Sequence, residues 1–154
     1  MENLPYLERV KIQSEILLPL YRRLRDELGA ERANALLRDA VREYAENLGR
    51  AVGAAGAGTS LDKLRGLLPV MTAGDALDVE MHTNDTHELR FDIRRCAYAE
   101  FFQGIGEAEF GAMLTCEIDP PMTAGIGADL TLERSQTRMR GASHCDFRWT
   151  LTRG

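Results

Sequence analysis

The 154-residue chain is short of cysteine, of histidine and of long apolar runs, and each shortage removes a class of protein. Its three cysteines are an odd number, separated by nineteen and twenty-eight residues, so they do not frame a disulfide-stapled fold. No C-x2-C and no H-x3-H pair occurs, and the histidines number only three, so no zinc spacing is written in the chain. A Cys3His site would need Cys96, Cys116, Cys145 and His144 to converge in space, and no resident metal or cofactor is expected. No apolar run approaches the roughly 18 to 20 residues that span a bilayer. The opening MENLPYLERVKIQ lacks a basic start followed by an apolar stretch, so an export signal is not expected and the thiols read as reduced, in a cytoplasmic setting. Basic excess is missing too: 19 Lys and Arg stand against 24 Asp and Glu, a net charge of -5, which is no footprint for nucleic acid.

What is present is an ordinary globular composition, 44% hydrophobic and 28% charged, so a disordered chain is excluded. The length suits one domain, residues 1–154, with a helical half to about residue 75 and a sheet half from 76 onward.

In the helical half Ile12, Ile16, Leu17, Leu20, Leu24 and Leu28 recur at three- and four-residue spacing and are expected to form a buried helix stripe. Pro19 interrupts it and predicts a kink or break. Ala33, Leu36, Leu37, Ala40, Val41, Tyr44, Leu48 and Val52 form the stripe of a second helix. An apolar remainder on these helices offers a surface to a second copy, a homo-oligomer. GAAGAG, residues 53–58, reads as a linker; it lacks the lysine of a phosphate loop and follows a helix, not a strand. Thr59 and Asp62 predict a capping box for a short Leu-rich helix.

From residue 76 the period changes to two. Leu77, Val79 and Met81, then Leu89, Phe91 and Ile93, flank an Asn84-Asp85 turn, which predicts an antiparallel hairpin. Residues 97–117 read as helix broken near Gly104 and Gly106 and stopped by Pro120 and Pro121. The stretch TAGIGA then reads as a loop into a strand at Leu130 and Leu132. A last strand carries Cys145, Phe147, Trp149 and Leu151 in one phase. The fold class is therefore α+β: amino-terminal helices on a mostly antiparallel sheet with an inserted helical segment.

Alternation also places chemistry. The phase of Leu89, Phe91 and Ile93 continues to Arg95, and that of Leu130 and Leu132 to Arg134, so both arginines point toward the buried side. A buried guanidinium needs a carboxylate such as Glu100, Glu107 or Asp119, or else a bound anion. In the second case its planar fork clamps an anionic small molecule. Cys116 and Asp119 sit three apart at a helix end, and Cys145 lies between His144 and Asp146. Thiols beside an imidazole and carboxylates are the raw material of nucleophilic catalysis, although a cysteine is as readily core filler. On one strand, neighbours face opposite ways, so His144 cannot serve Cys145 directly and would have to face a cysteine of another element.

RRCAYAEFFQGIGEAEFGAMLTCEIDPPM followed by LTLERSQTRMRGASHCDFRW resembles the family named for L-2-amino-thiazoline-4-carboxylic acid hydrolase. The likeness rests on Arg95 and Cys96, Glu100, Gly106, Cys116 with Asp119, Arg134, Thr137, Gly141, and Cys145-Asp146-Phe147. The final Gly-x-x-x-Cys-x-Phe also resembles vinyl-4-reductase-type ligand-binding domains, whose role is small-molecule or metal sensing. The first resemblance implies hydrolysis of a C–N bond in a small cyclic amidine or amide bearing a carboxylate. It casts Cys116 or Cys145 as nucleophile, Asp119 or Glu100 as acid/base, and Arg95 or Arg134 as anchor, with Cys96 and His144 in the substrate pocket. The second implies binding without turnover.

Overall fold

The computed structural model describes residues 4–152; the first three residues of the stretch read for an export signal lie outside them. Two long helices, α1 (Tyr6–Leu28) and α2 (Ala30–Ala54), are joined at Gly29, whose φ of 81° suits a residue without a Cβ. Short helices α3 (Ser60–Arg65) and α4 (Leu68–Thr72) lead into the hairpin of β1 (Leu77–Asn84) and β2 (Glu88–Cys96). Then come α5 (Ala97–Gly104) and α6 (Ala108–Gly111), the latter running into a π-helical turn over Ala112–Cys116. α7 (Asp119–Ile126), β3 (Leu130–Glu133), a 3-10 turn (Arg138–Arg140) and β4 (Cys145–Leu151) complete the order.

The four strands form one antiparallel sheet in the order β1-β2-β4-β3, so the class is α+β. Opposite Cα partners Leu89 and Trp149, Phe91 and Phe147, and Ile93 and Cys145 place one apolar face against the helices. The other face carries ion pairs, among them Arg94 with Glu80 and Arg148 with Glu88 and Glu133. No helix is long and apolar enough to cross a membrane among the described residues.

The capping box forms as read: Thr59 accepts from the Asp62 N–H while Asp62 accepts from the Thr59 N–H. Three other expectations are corrected. α1 buries Leu7, Val10, Ser14, Leu18 and Tyr21, and the aliphatic stripe of Ile12, Ile16, Leu20 and Leu28 faces outward, Ile16 at 75% exposure. Two stripes of equal period compete on this helix. The buried one includes polar groups that are locally satisfied, Ser14 donating to the Val10 carbonyl and Tyr21 to Asn34. Of the kink or break expected at Pro19, the break does not occur: α1 runs through it, with Pro19 on the exposed side.

The third correction concerns the prolines at 120 and 121, which open α7 rather than merely ending what precedes them, because a first-turn proline surrenders an N–H that has no helical partner. TAGI of the expected loop is consequently helix. Its Gly125 meets Gly49 of α2 and its Ile126 meets Gly53, which lies inside α2 rather than in a linker. A Cβ on Gly125 would stand 2.5 Å from the Glu46 carbonyl oxygen, and one on Gly49 would overlap the Met122 carbonyl. Glycine thus sets the distance between α2 and α7. On the sheet side α7 is tied by Trp149, whose Nε1–H donates to Thr123 at 3.0 Å. The amino end of α7, which carries Asp119, is held from both directions.

Candidate functional site

Helix and sheet meet around a small, partly open cavity of about 70 Å³. Its floor comes from the sheet, Ile93 and Cys96 of β2 with Cys145 and Phe147 of β4. Its roof comes from Tyr6, Met71 and Tyr98, and its polar end from Cys116, Asp119, Arg134 and Thr137. A second apolar space of about 60 Å³ lies behind Met71, Leu77, Ile93 and Phe147, which wall both.

Arg134 organises the polar end. Its side chain is 14% exposed and that of Asp119 12%; Nη1 donates to Asp119 Oδ2 at 2.5 Å and Nη2 to the Cys116 carbonyl at 3.0 Å. The guanidinium carbon lies 5.1 Å from the centre of the Phe147 ring, a cation–π contact. Local structure explains why that carbonyl is available. In the π turn the Glu117 N–H reaches back five residues to Ala112, and the Thr115 hydroxyl donates to the Gly111 carbonyl. The helix ends there, and the carbonyls of its last turn need partners from elsewhere.

Burial raises the Asp119 carboxyl to about 6, against the opposing pull of the Arg134 charge and hydrogen bond. The thiols are raised as well: Cys116 to about 12 by burial and then the Asp119 charge, Cys145 to about 11 by burial. Cys96 also rises by burial. Two of the sulfurs are engaged as acceptors, Cys96 by the Ala99 N–H at 3.4 Å and Cys145 by the Arg138 N–H at 3.1 Å. All three cysteines are free thiols and, at neutral pH, protonated.

Of the eight residues singled out from sequence, the cavity gathers Cys96, Cys116, Asp119, Arg134 and Cys145. Arg95 and Glu100 lie outside, paired with one another at 2.9 Å, each side chain 49% exposed. The expected inward turn of Arg95 fails because β2 bulges. Asp78 pairs with Arg95 but Val79 pairs with Ile93, so one extra residue resets the phase and Cys96 points inward instead. His144 faces no cysteine of another element; it sits on the outer side of the sheet, 3.8 Å from Asp92 and beside Gln136 and Ser143. The strand phase that turns Cys145 inward accounts for this. Among the described residues no three His, Cys, Asp or Glu side chains are grouped to hold a metal ion.

Sequence reasoning did not place Tyr6, Met71 or Tyr98 in the site, and periodicity gives no signal across elements. Thr137 was visible only as one of the residues carrying the family likeness.

Solved structures share the fold at low identity. The phenol-responsive sensory domain of the transcription activator PoxR, solved with phenol, aligns with a TM-score of 0.56 at 15% identity, over 88% of this chain and 72% of that one. A trafficking protein particle complex subunit 3 from Naegleria fowleri, covalently bound to palmitic acid, aligns with a TM-score of 0.50 at 13% identity, over 93% and 97%. No curated protein matches the sequence. The family model described as L-2-amino-thiazoline-4-carboxylic acid hydrolase matches residues 9–149, and the chain belongs to that family.

Proposed function

We propose that the chain hydrolyses a C–N bond of a small cyclic amidine- or amide-type carboxylate in this cavity, with Asp119 activating water. The observation that carries the reading is a buried carboxyl whose pKa is about 6, fixed by Arg134 at the polar end of the cavity. A group near neutrality can take a proton from attacking water and return it to the departing nitrogen. In that cycle the water oxygen bonds to the amidine carbon, the C–N bond breaks, and Asp119 returns to its ionised form. Arg134 uses two of its five N–H groups in the bonds above, and the others are suited to a substrate carboxylate. Cys116, Cys145 and Cys96 line the pocket as neutral thiols, since a thiolate would have to form in a site that disfavours it. Reduced thiols accord with a cytoplasmic setting.

The test is turnover of L-2-aminothiazoline-4-carboxylate by the purified chain. Asp119→Asn is expected to lower kcat/KM by about 100-fold or more, while Cys116→Ser and Cys145→Ser stay within a few-fold. A collapse in either serine variant would replace the water mechanism with a covalent one.

Because the base must be ionised to accept a proton, kcat/KM is expected to rise with pH through about 6 and then level, with no limb near the thiol values. A profile flat from pH 5 to 8 would remove Asp119 from the chemistry.

The second reading, binding without turnover, is favoured by the largely apolar walls and by the shared fold with a phenol-responsive sensory domain. It expects phenol or a cyclic amidine to bind and be recovered unchanged.

A further inference from the structure

Thr137 is 6% exposed and lines the cavity, and its hydroxyl oxygen is a buried polar atom with no hydrogen-bond partner among the described residues. A buried hydroxyl without a partner is costly, and native structures rarely retain one without a use. The surroundings sharpen the anomaly. Thr137 stands at the amino-terminal cap of the 3-10 turn, where a threonine ordinarily bonds a following backbone N–H. Here it makes no such bond. The Arg138 N–H goes to Cys145 Sγ, and the Arg140 and Ala142 N–H groups go to Thr137's own carbonyl. The turn is therefore capped without the hydroxyl, which stays unpartnered in a residue of the cavity wall.

Nothing about the backbone requires threonine. Its φ of -138° and ψ of 148° are extended values that valine adopts equally well, and valine would remove the unpaired oxygen with almost no change of shape. Of the other polar groups of the cavity, Asp119 and Arg134 hold each other, Arg134 keeping further N–H groups for a substrate carboxylate, and the Cys96 and Cys145 sulfurs accept from backbone N–H groups.

We infer that the Thr137 hydroxyl is reserved for the ligand, forming one hydrogen bond to a heteroatom of a single-ring molecule and so determining which rings the cavity admits. At about 70 Å³ the space as it stands is smaller than the roughly 150 Å³ of a cavity that takes benzene, so a single ring is the upper limit and needs a wall to move. A single ring enters by displacing Met71, a flexible side chain in the wall shared with the second space. A site that hydrogen-bonds one edge of a ring discriminates against the ring without that heteroatom, because binding that ring leaves the protein's own polar group unpaired. The inference rests on the cavity being the ligand site proposed above, but not on the ligand being hydrolysed.

The experiment compares the wild type with Thr137→Val and Thr137→Ser, using phenol against toluene and 2-pyrrolidinone against methylcyclopentane as shape-matched probes in chemical-shift titrations. Thermal midpoints of the ligand-free proteins are measured alongside. The wild type and Thr137→Ser are expected to favour the polar member of each pair by about tenfold. Thr137→Val is expected to lose that preference and to melt higher than the wild type when ligand-free. A purely structural threonine would do the reverse, its valine variant melting lower with binding unchanged, and that result overturns the inference. So does a wild type that shows no polar preference. If the preference disappears in Thr137→Val yet no aminothiazoline is turned over, the inference stands and hydrolysis falls. If turnover occurs and is untouched in Thr137→Val, hydrolysis stands and the inference falls.

Discussion

Arg134→Ala is expected to destabilise the protein by about 3–5 kcal/mol at pH 8, because it leaves a buried carboxylate without its counter-charge. The loss is expected to shrink as the pH falls toward 5, since a protonated Asp119 no longer needs the guanidinium. The wild type already leans this way. The folded-state value of about 6 lies above the ordinary 3.8, so the folded form binds the proton more tightly than the unfolded chain does. The stability from that protonated group is complete below about pH 3.8 and is lost as the pH rises through about 6. Replacing both partners, Arg134→Met with Asp119→Leu, is expected to recover most of the stability and none of the activity, as well-packed apolar groups replace a costly pair. Denaturant melts of the wild type and the two variants at pH 5 and 8 measure this. A single-variant loss that is the same at both pH values would mean that the pair is solvated and that Asp119 is an ordinary surface acid.

Gly49→Ala is expected to cost about 3 kcal/mol and to lower the proposed turnover as well, although residue 49 touches no part of the cavity. Its new methyl would overlap the Met122 carbonyl and stand near the Cα of Gly125, so α2 and α7 must separate. α7 begins at Asp119, and a shift of that helix moves the carboxylate against Arg134. The control is Gly104→Ala at the end of α5, where a Cβ meets nothing within 4 Å; it is expected to be neutral or stabilising by about 0.5 kcal/mol. Equal effects of the two substitutions on melting would show that helix contact at Gly49 is not limiting.

Local signals were legible in the sequence. The Thr59–Asp62 box, the hairpin across Asn84-Asp85 and the inward phase of Cys145, Phe147 and Trp149 depend on residues a few positions apart. Arg134 was legible for the same reason, as the next step of the Leu130–Leu132 phase, and Asp119 was among its expected partners. The misreadings share a different cause. Which of two stripes α1 buries depends on what packs against it. Whether TAGI is loop or helix depends on glycines seventy residues upstream in α2. Arg95 turns outward because of one extra residue in β2, which no alternation within β2 reveals. Tyr6 and Met71 enter the site from the helical half through packing alone. Local chemistry therefore named the polar end of the cavity, and tertiary packing decided which named residues reached it.

The π-helical turn has a consequence for the chain's tolerance of insertion and deletion. Its five-residue hydrogen bond accommodates one residue more than a regular helix would over Ala112–Cys116. Loss of one residue there is absorbed, since the Glu117 N–H stays bonded to the Ala112 carbonyl as the turn regularises, but a further insertion is not, and would rotate everything beyond it by about 100° on the helix. The Cys116 carbonyl would leave Arg134, and the start of α7 would carry Asp119 off the cavity. Loops elsewhere can vary in length at little cost, but between Gly111 and Asp119 the one spare residue is already in place and no other can be added without moving the site.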